Sequence, residues 1–351
     1  MKILKKYLYI FIILFLLSCR TPYSGSNTET NDNDSKTEDT KRSPYYDGAS
    51  QDIGNLKIFP DDNPWNYRID DTIEYPTHPD TDDIISIIGV NTHVHPDFGN
   101  NIYEGSYIGM PYIVISENNS TPVDITFEYA GESDPDPYII PDNAPIEGQG
   151  PNIADPPSGD RHVIVINKAT NMLYEIYRGE WLDSLRWIAG SGAKYDLTKT
   201  DLRPDFWTSA DAAGLPIFPF LIRYEEIQKG EIKHAIRFTL RNSIVRDAFI
   251  APATHAANSS TSLLHLPMGA RLRLKASFDV SSFSTTNQII LTAMKRYGLI
   301  LADNGADMFI SGSPDPRWDS EELITQLKAN LTAGDFEVVY FDEADVVYMP
   351  Y

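Results

Sequence analysis

Cysteine is almost missing from this chain. A single residue, Cys19, stands in 351, which excludes a disulfide scaffold and any zinc site built on several thiolates. Positive charge is short as well: 29 Lys and Arg face 50 Asp and Glu, a formal net charge of -21. Phosphate affinity comes from clustered cations, so a nucleic-acid partner is excluded. Long apolar runs are also lacking. The most apolar stretch, residues 7–17, is too short to cross a hydrocarbon core of about 30 Å as a helix. No internal repeat is visible. What the chain does have is a hydrophobic fraction of 42% with 20 tyrosines, enough to bury a core and to exclude wholesale disorder, in a length that suggests roughly two domains at most.

Lys2, Lys5 and Lys6 precede the apolar run, the layout of a signal peptide. It ends in Leu16, Leu17, Ser18 and Cys19, which resembles the lipobox of bacterial lipoproteins. The resemblance implies a lipidated Cys19 as the new N-terminus. Acyl chains contribute about 0.8 kcal/mol per buried methylene, so the expected location is the cell envelope, anchored to a membrane, the outer one preferred, and facing periplasm or exterior. Residues 20–51 are polar and nearly free of aliphatic side chains, and they read as a disordered acidic tether. Residues 52–158 form a Pro- and Asp-rich region with short alternating strands such as Val123, Ile125, Phe127 and Tyr129. Residues 159–351 form the main region, expected to make one functional unit with 52–158 in a monomer. Nearly all the negative excess lies before Arg161. It keeps a surface protein soluble, with calcium held by oxygen ligands as the alternative cofactor reading; otherwise no cofactor is expected.

The main region opens with a β-hairpin over 162–177, its turn at 168–171. Further strands are expected at 185–188, 232–239, 271–278, 299–302, 308–310 and 336–340. Helices are expected at 217–229, stopped by Gly230, after Ser284 as cap with Gly298 as stop, and over 320–328. Strands dominate and helices come late, so the fold class is α+β.

Several groups of residues carry chemistry. The hairpin followed by Gly190, Ser191 and Gly192 resembles the opening of L,D-transpeptidases, but that family attacks with a cysteine and none stands beyond Cys19, so transpeptidase activity is excluded. His93, His95 and Asp97 share one face if extended, the donor types of a zinc or iron site, although Pro96 argues for a turn or edge. Glu132, Asp134 and Asp136 offer calcium ligands or a stiff loop. Arg271, Arg273 and Lys275 alternate on one strand face, where they need internal carboxylates or an anionic ligand. Two loops place Asp beside Trp and Arg: 202–216, with Arg203, Asp205, Trp207 and Asp211, and 302–318, with Asp303, Asp315, Arg317 and Trp318. Paired carboxylates with aromatic platforms are the equipment of sugar hydrolysis. Asp211, Asp303 and Asp315 are the expected acids, Trp207 and Trp318 the platforms. Asx turns and helix caps are the structural reading of the same aspartates.

The run from Asn63 to Val339 resembles a family of secreted bacterial proteins that share HPDFG, GSGAxxDL, RPxxWTSADAAGLPI, HAxRF, RLKAS and ADNGxxxFISGxPDPRW, here at 95–99, 190–197, 203–217, 234–238, 271–277 and 302–318. The resemblance implies one continuous unit and no mechanism. The leading expectation is therefore a lipid-anchored envelope protein acting on extracellular polysaccharide, as a glycoside hydrolase ahead of a non-catalytic binder or a structural surface lipoprotein. His234, His255, Arg237 and the basic strand support a lyase on uronic-acid polymers as the alternative, because that chemistry needs a cation and a base.

Cys19→Ala is expected to release the protein from membranes or leave it unprocessed, with the body folded unchanged. Fractionation and N-terminal mass analysis check this; normal processing with membrane retention contradicts it.

Overall fold

The computed structural model describes residues 48–116, 121–150 and 159–350. The signal segment, Cys19 and most of the tether lie outside them. The last tether residues do not hang free. Ser50 donates through its backbone N–H to Asp315 at 3.3 Å and exchanges a hydroxyl contact with Ser313 at 2.8 Å. The Gln51 side chain accepts from the Val114 N–H at 2.6 Å. The ordered body thus begins ahead of Asp52.

The fold is α+β and strand-dominated, as the alternating patterns require. Ten strands position the site: β1 (His95–Asp97), β2 (Ile113–Ile115), β3 (Val163–Asn167), β4 (Met172–Tyr177), β5 (Ser191–Asp196), β6 (Ile236–Leu240), β7 (Arg271–Leu274), β8 (Leu299–Asn304), β9 (Phe309–Ser311) and β10 (Phe336–Val338). A six-stranded mixed sheet runs in the order β1-β9-β6-β8-β7-β10, and a four-stranded sheet runs β5-β4-β3-β2. β1 pairs in parallel with β9, and β2 in parallel with β3. Strands from 52–158 are therefore built into the sheets of the main region. Pro96 sits in the edge strand β1, where its missing N–H costs no ladder bond.

The hairpin β3–β4 is where its pattern puts it. Asn167 shapes the turn by accepting from the Ala169 and Thr170 N–H groups at 3.0 and 3.3 Å. Both faces of this sheet are covered. Ile164, Ile166 and Leu173 join the main core, while Val163, Val165, Tyr174 and Ile176 join a second core with Val123, Tyr138 and Trp187. That explains the unbroken apolar run, and it drives Glu175, on the Leu173 face, into the main interior.

Helix α1 (Thr285–Arg296) starts at Ser284, which accepts from the Asn287 N–H, and buries Ile290, Leu291, Ala293 and Met294. Gly298 has φ 73°, and a Cβ there would sit 2.5 Å from the Leu272 carbonyl oxygen, so glycine is what lets α1 turn directly into β8. Two expectations are corrected. The helix over 217–229 is only Tyr224–Lys229, preceded by a 3₁₀ turn at Phe218–Phe220. Between them the chain extends, and the Ile222 N–H bonds the Ser311 carbonyl at 3.2 Å; sheet pairing outweighs local helix preference there. A helix at Thr81–Ile88 was not expected. Ile84, Ile85 and Ile88 face the core from it, Asp82 and Asp83 lie in its first turn, and Gly89 ends it at φ 104°. Among the described residues no helix is long and apolar enough to cross a membrane.

Candidate functional site

Four neighbouring strands each contribute one polar residue to a single transverse row. Asp97 on β1 is in register with Ser311 on β9. Ser311 lies beside Arg237 on β6, and Thr239, two residues on, is in register with Asp303 on β8 through a bulge at Phe238/Thr239. Side chains directly opposite one another point to the same face of a sheet. Asp97, Ser311, Arg237 and Asp303 therefore line one face.

Arg237 is the centre. Its side chain is 3% exposed, and every nitrogen is used: Nε and Nη2 donate to Asp211 at 2.7 and 2.6 Å, Nη2 also to Asp303 at 2.7 Å, and Nη1 to the Ser311 hydroxyl at 2.7 Å. Asp211 reaches it from the 202–216 loop and is fully buried. That loop is locked by Ser209, whose hydroxyl accepts from the Asp211 N–H at 2.8 Å and donates to the Leu215 carbonyl at 2.5 Å. Gly214, at φ 72°, lets it pass the Thr254 hydroxyl, which a Cβ would meet at 2.1 Å. Asp303 keeps 18% of its side chain in contact with solvent. Burial and the neighbouring Asp211 push its carboxyl well above the ordinary range, against the pull of Arg237. Two carboxyl groups on one buried cation leave one negative charge too many, and a proton on Asp303 removes it.

A second buried layer supports the row. Burial opposes a charge on His162, but Glu147, 2.6 Å from Nδ1, outweighs it and raises the imidazole to about 9. Nε2 donates to the Ala210 carbonyl at 2.9 Å, so His162 holds the residue next to Asp211. Burial also pushes Glu175 up to about 7, although it accepts from the Ile217 and Phe218 N–H groups at 2.8 to 3.0 Å. Asp97 is raised to about 6 by burial and by Glu147.

Asp211 and Asp303 form the floor of a cleft of about 400 Å³ walled by Tyr129, Tyr177, Glu132, Asp160 and His255. A neighbouring cavity of about 710 Å³ contains His95, Asp97 and Glu147 and shares Asp160 with it. The structure thus unites Asp211, Asp303 and Arg237, and adds Tyr129, Tyr177, Glu147, His162 and Glu175, which sequence reasoning missed. Glu175 left a signal, a charged residue at an inward position of an otherwise apolar strand.

Other expected site residues lie elsewhere. Asp315 is buried in a turn, where Arg317 donates to both its oxygens at 2.7 and 2.6 Å; Arg317 continues to Glu225 and Gln228. Trp318 is a core residue, 2% exposed, packed on Phe98 and Tyr224. Arg203 is a buried tie from the 202–216 loop to Asp134 and the Glu132 carbonyl, clamped between the rings of Tyr195 and Trp207. Trp207 is thus a clamp, and Asp205 is exposed. His234 pairs with Glu226 at 3.0 Å on another surface. Arg273 donates to Glu337 at 2.8 Å, and Lys275 to the Gly334 carbonyl at 2.8 Å; Arg271 contacts backbone carbonyls. Asp134 and Asp136 anchor backbone N–H groups of Lys194 and Ile125. His93 is exposed, while His95 stacks on Phe309 at 4.1 Å. Among the described residues no group of three or more His, Cys, Asp or Glu is arranged to hold a metal ion.

Compared with protein-family models, curated proteins and solved structures, the chain matches none.

The row has a signature in stability against pH. Asp97, Glu175, Asp303 and His162 all bind protons more tightly folded than unfolded, so each contributes stability that is complete below its unfolded value and lost as pH rises through its folded one. Glu147, held below the ordinary range by His162 despite its burial, acts oppositely and only at acid pH. The contribution of these groups is expected to be greatest near pH 5 and to decline towards pH 9, opposed around neutral pH by His78, His95 and His265, whose burial lowers their proton affinity, each titrating group adding a slope of at most about 1.4 kcal/mol per pH unit. Urea midpoints across that range check it; a flat or rising profile contradicts it.

Proposed function

We propose that the protein is a lipid-anchored envelope protein that hydrolyses extracellular carbohydrate in the Asp303 cleft. The observation that carries this is Asp303: a carboxyl with a raised proton affinity, partly open to a cleft, fixed from behind by Arg237 and Asp211. A general acid for glycosidic cleavage has this description. In the reaction Asp303 gives its proton to the glycosidic oxygen as the carbon–oxygen bond breaks. Water adds to the anomeric carbon, and a second carboxylate of the cleft, Glu132 or Asp160, takes its proton. Asp211, whose side chain is buried and whose two oxygens are both held by Arg237, acts as a positioning residue. Tyr129 and Tyr177 replace the tryptophans as stacking walls.

A lyase on uronic-acid polymers has less support than hydrolysis: His255 lines this cleft, but Arg237 is 3% exposed and already bound to Asp211, Asp303 and Ser311, and the basic strand lies outside the cleft lining.

On a panel of neutral and acidic polysaccharides, the wild-type chain is expected to cleave a neutral one, and Asp303→Asn to lose roughly 10²-fold or more in rate without loss of thermal stability. Asp315→Asn is expected to lower the melting temperature instead, since it breaks the Arg317 pair. An Asp303→Asn protein as active as wild type contradicts the reading, and so does binding without cleavage across the panel.

A further inference from the structure

Of the three cations on the basic strand, Arg273 and Lys275 are absorbed by Glu337 and a backbone carbonyl; Arg271 is not. Its guanidinium lies in a cavity of about 470 Å³ bounded by Tyr67, Tyr75 and Tyr340, with Asp342 and Asp345 among its lining residues. It makes no ion pair with any described carboxylate. Nη2 donates to the Pro64 carbonyl at 2.7 Å, and Nη1 makes long contacts, 3.4 Å each, to the Tyr67 and Tyr297 carbonyls. These contacts hold the guanidinium in place, and Nε has no hydrogen-bond partner among the described residues. Burial without a counter-charge lowers its proton affinity, to about 10. A half-buried arginine whose hydrogen-bond partners are carbonyl oxygens and not a carboxylate is the unfinished half of an ion pair.

The cavity is not suited to a simple anion. Asp342 and Asp345 are exposed, and a ligand bearing negative charge alone would be repelled by them. A molecule carrying carboxylate and ammonium on an apolar body satisfies both ends: the carboxylate on Arg271, the ammonium on the aspartates, the body against the tyrosine rings. We propose that this cavity binds a zwitterion of the α-amino-acid type with an aromatic or branched aliphatic side chain. The proposal is independent of the hydrolase reading.

Calorimetry on the full chain with phenylalanine, N-acetylphenylalanine and phenylalaninamide tests it. Phenylalanine is expected to bind, and each blocked form to bind at least about tenfold more weakly, the loss of one charged hydrogen-bonded contact. Arg271→Gln is expected to abolish binding, and the exposed Asp345→Asn to weaken it with an unchanged melting temperature, while Asp303→Asn leaves it intact. Absence of binding by both phenylalanine and leucine at about 10 mM, equal binding of the blocked forms, or a folded Arg271→Gln protein that binds normally each overturns it. If Arg271→Gln fails to fold, Asp345→Asn and the blocked ligands decide.

Discussion

A guanidinium sealed from water must have its charge matched and its donors filled, and the architecture around Arg237 follows from that requirement. The six-stranded sheet brings Ser311 and Asp303 to it from adjacent strands, and the 202–216 loop folds over to deliver Asp211. Removing Asp211, the bidentate carboxylate, would leave the buried charge uncompensated, a cost of roughly 3–5 kcal/mol by analogy with other buried pairs. The loop, the bulge at Ala302 in β8 and the glycine at 214 are there because this network fixes where they go. The same network leaves a surplus of carboxyl groups, and that surplus, with burial, raises the proton affinity of Asp303.

Elsewhere the few cations of this acidic chain tie loops to the body. Arg203 secures the 130s loop through Asp134, Arg246 reaches Glu343 near the C-terminus at 2.7 Å, Arg273 joins Glu337, and Arg317 closes the turn that receives Ser50. Most of these guanidinium groups are also held by carbonyl oxygens, the multidentate use for which arginine suits better than lysine. Arg271, held by carbonyl oxygens without a carboxylate, makes its cavity a receptor in our account.

Local pattern made much of this legible. The hairpin, the capped helix after Ser284 and the strand carrying Arg237 follow from apolar spacing and turn residues, because those signals depend on near neighbours. Asp211, Asp303 and Arg237 stood out as charged residues in loops and strands that otherwise read as structural. What pattern could not show was convergence: that Asp211 crosses to Arg237 while Asp315, in a stretch of the same composition, turns back on Arg317 two residues away. Trp318 was read as a platform because a tryptophan beside Asp and Arg has the same composition in a cleft as in a core. Glu147 and His162 went unseen because a histidine opening a strand and a glutamate in a proline-rich loop carry no mark of their pairing.

The central claim is that the proton affinity of Asp303 is raised well above the ordinary carboxylate range because it is buried and shares one cation with Asp211. Carbon-13 resonances of labelled aspartate carboxyl groups, followed from pH 3 to pH 9 and assigned by comparison with Asp303→Asn, test it directly. The account predicts one aspartate that titrates well above the ordinary carboxylate range and whose signal is missing from Asp303→Asn. An Asp303 resonance that titrates near pH 4, like a carboxyl in water, would contradict it.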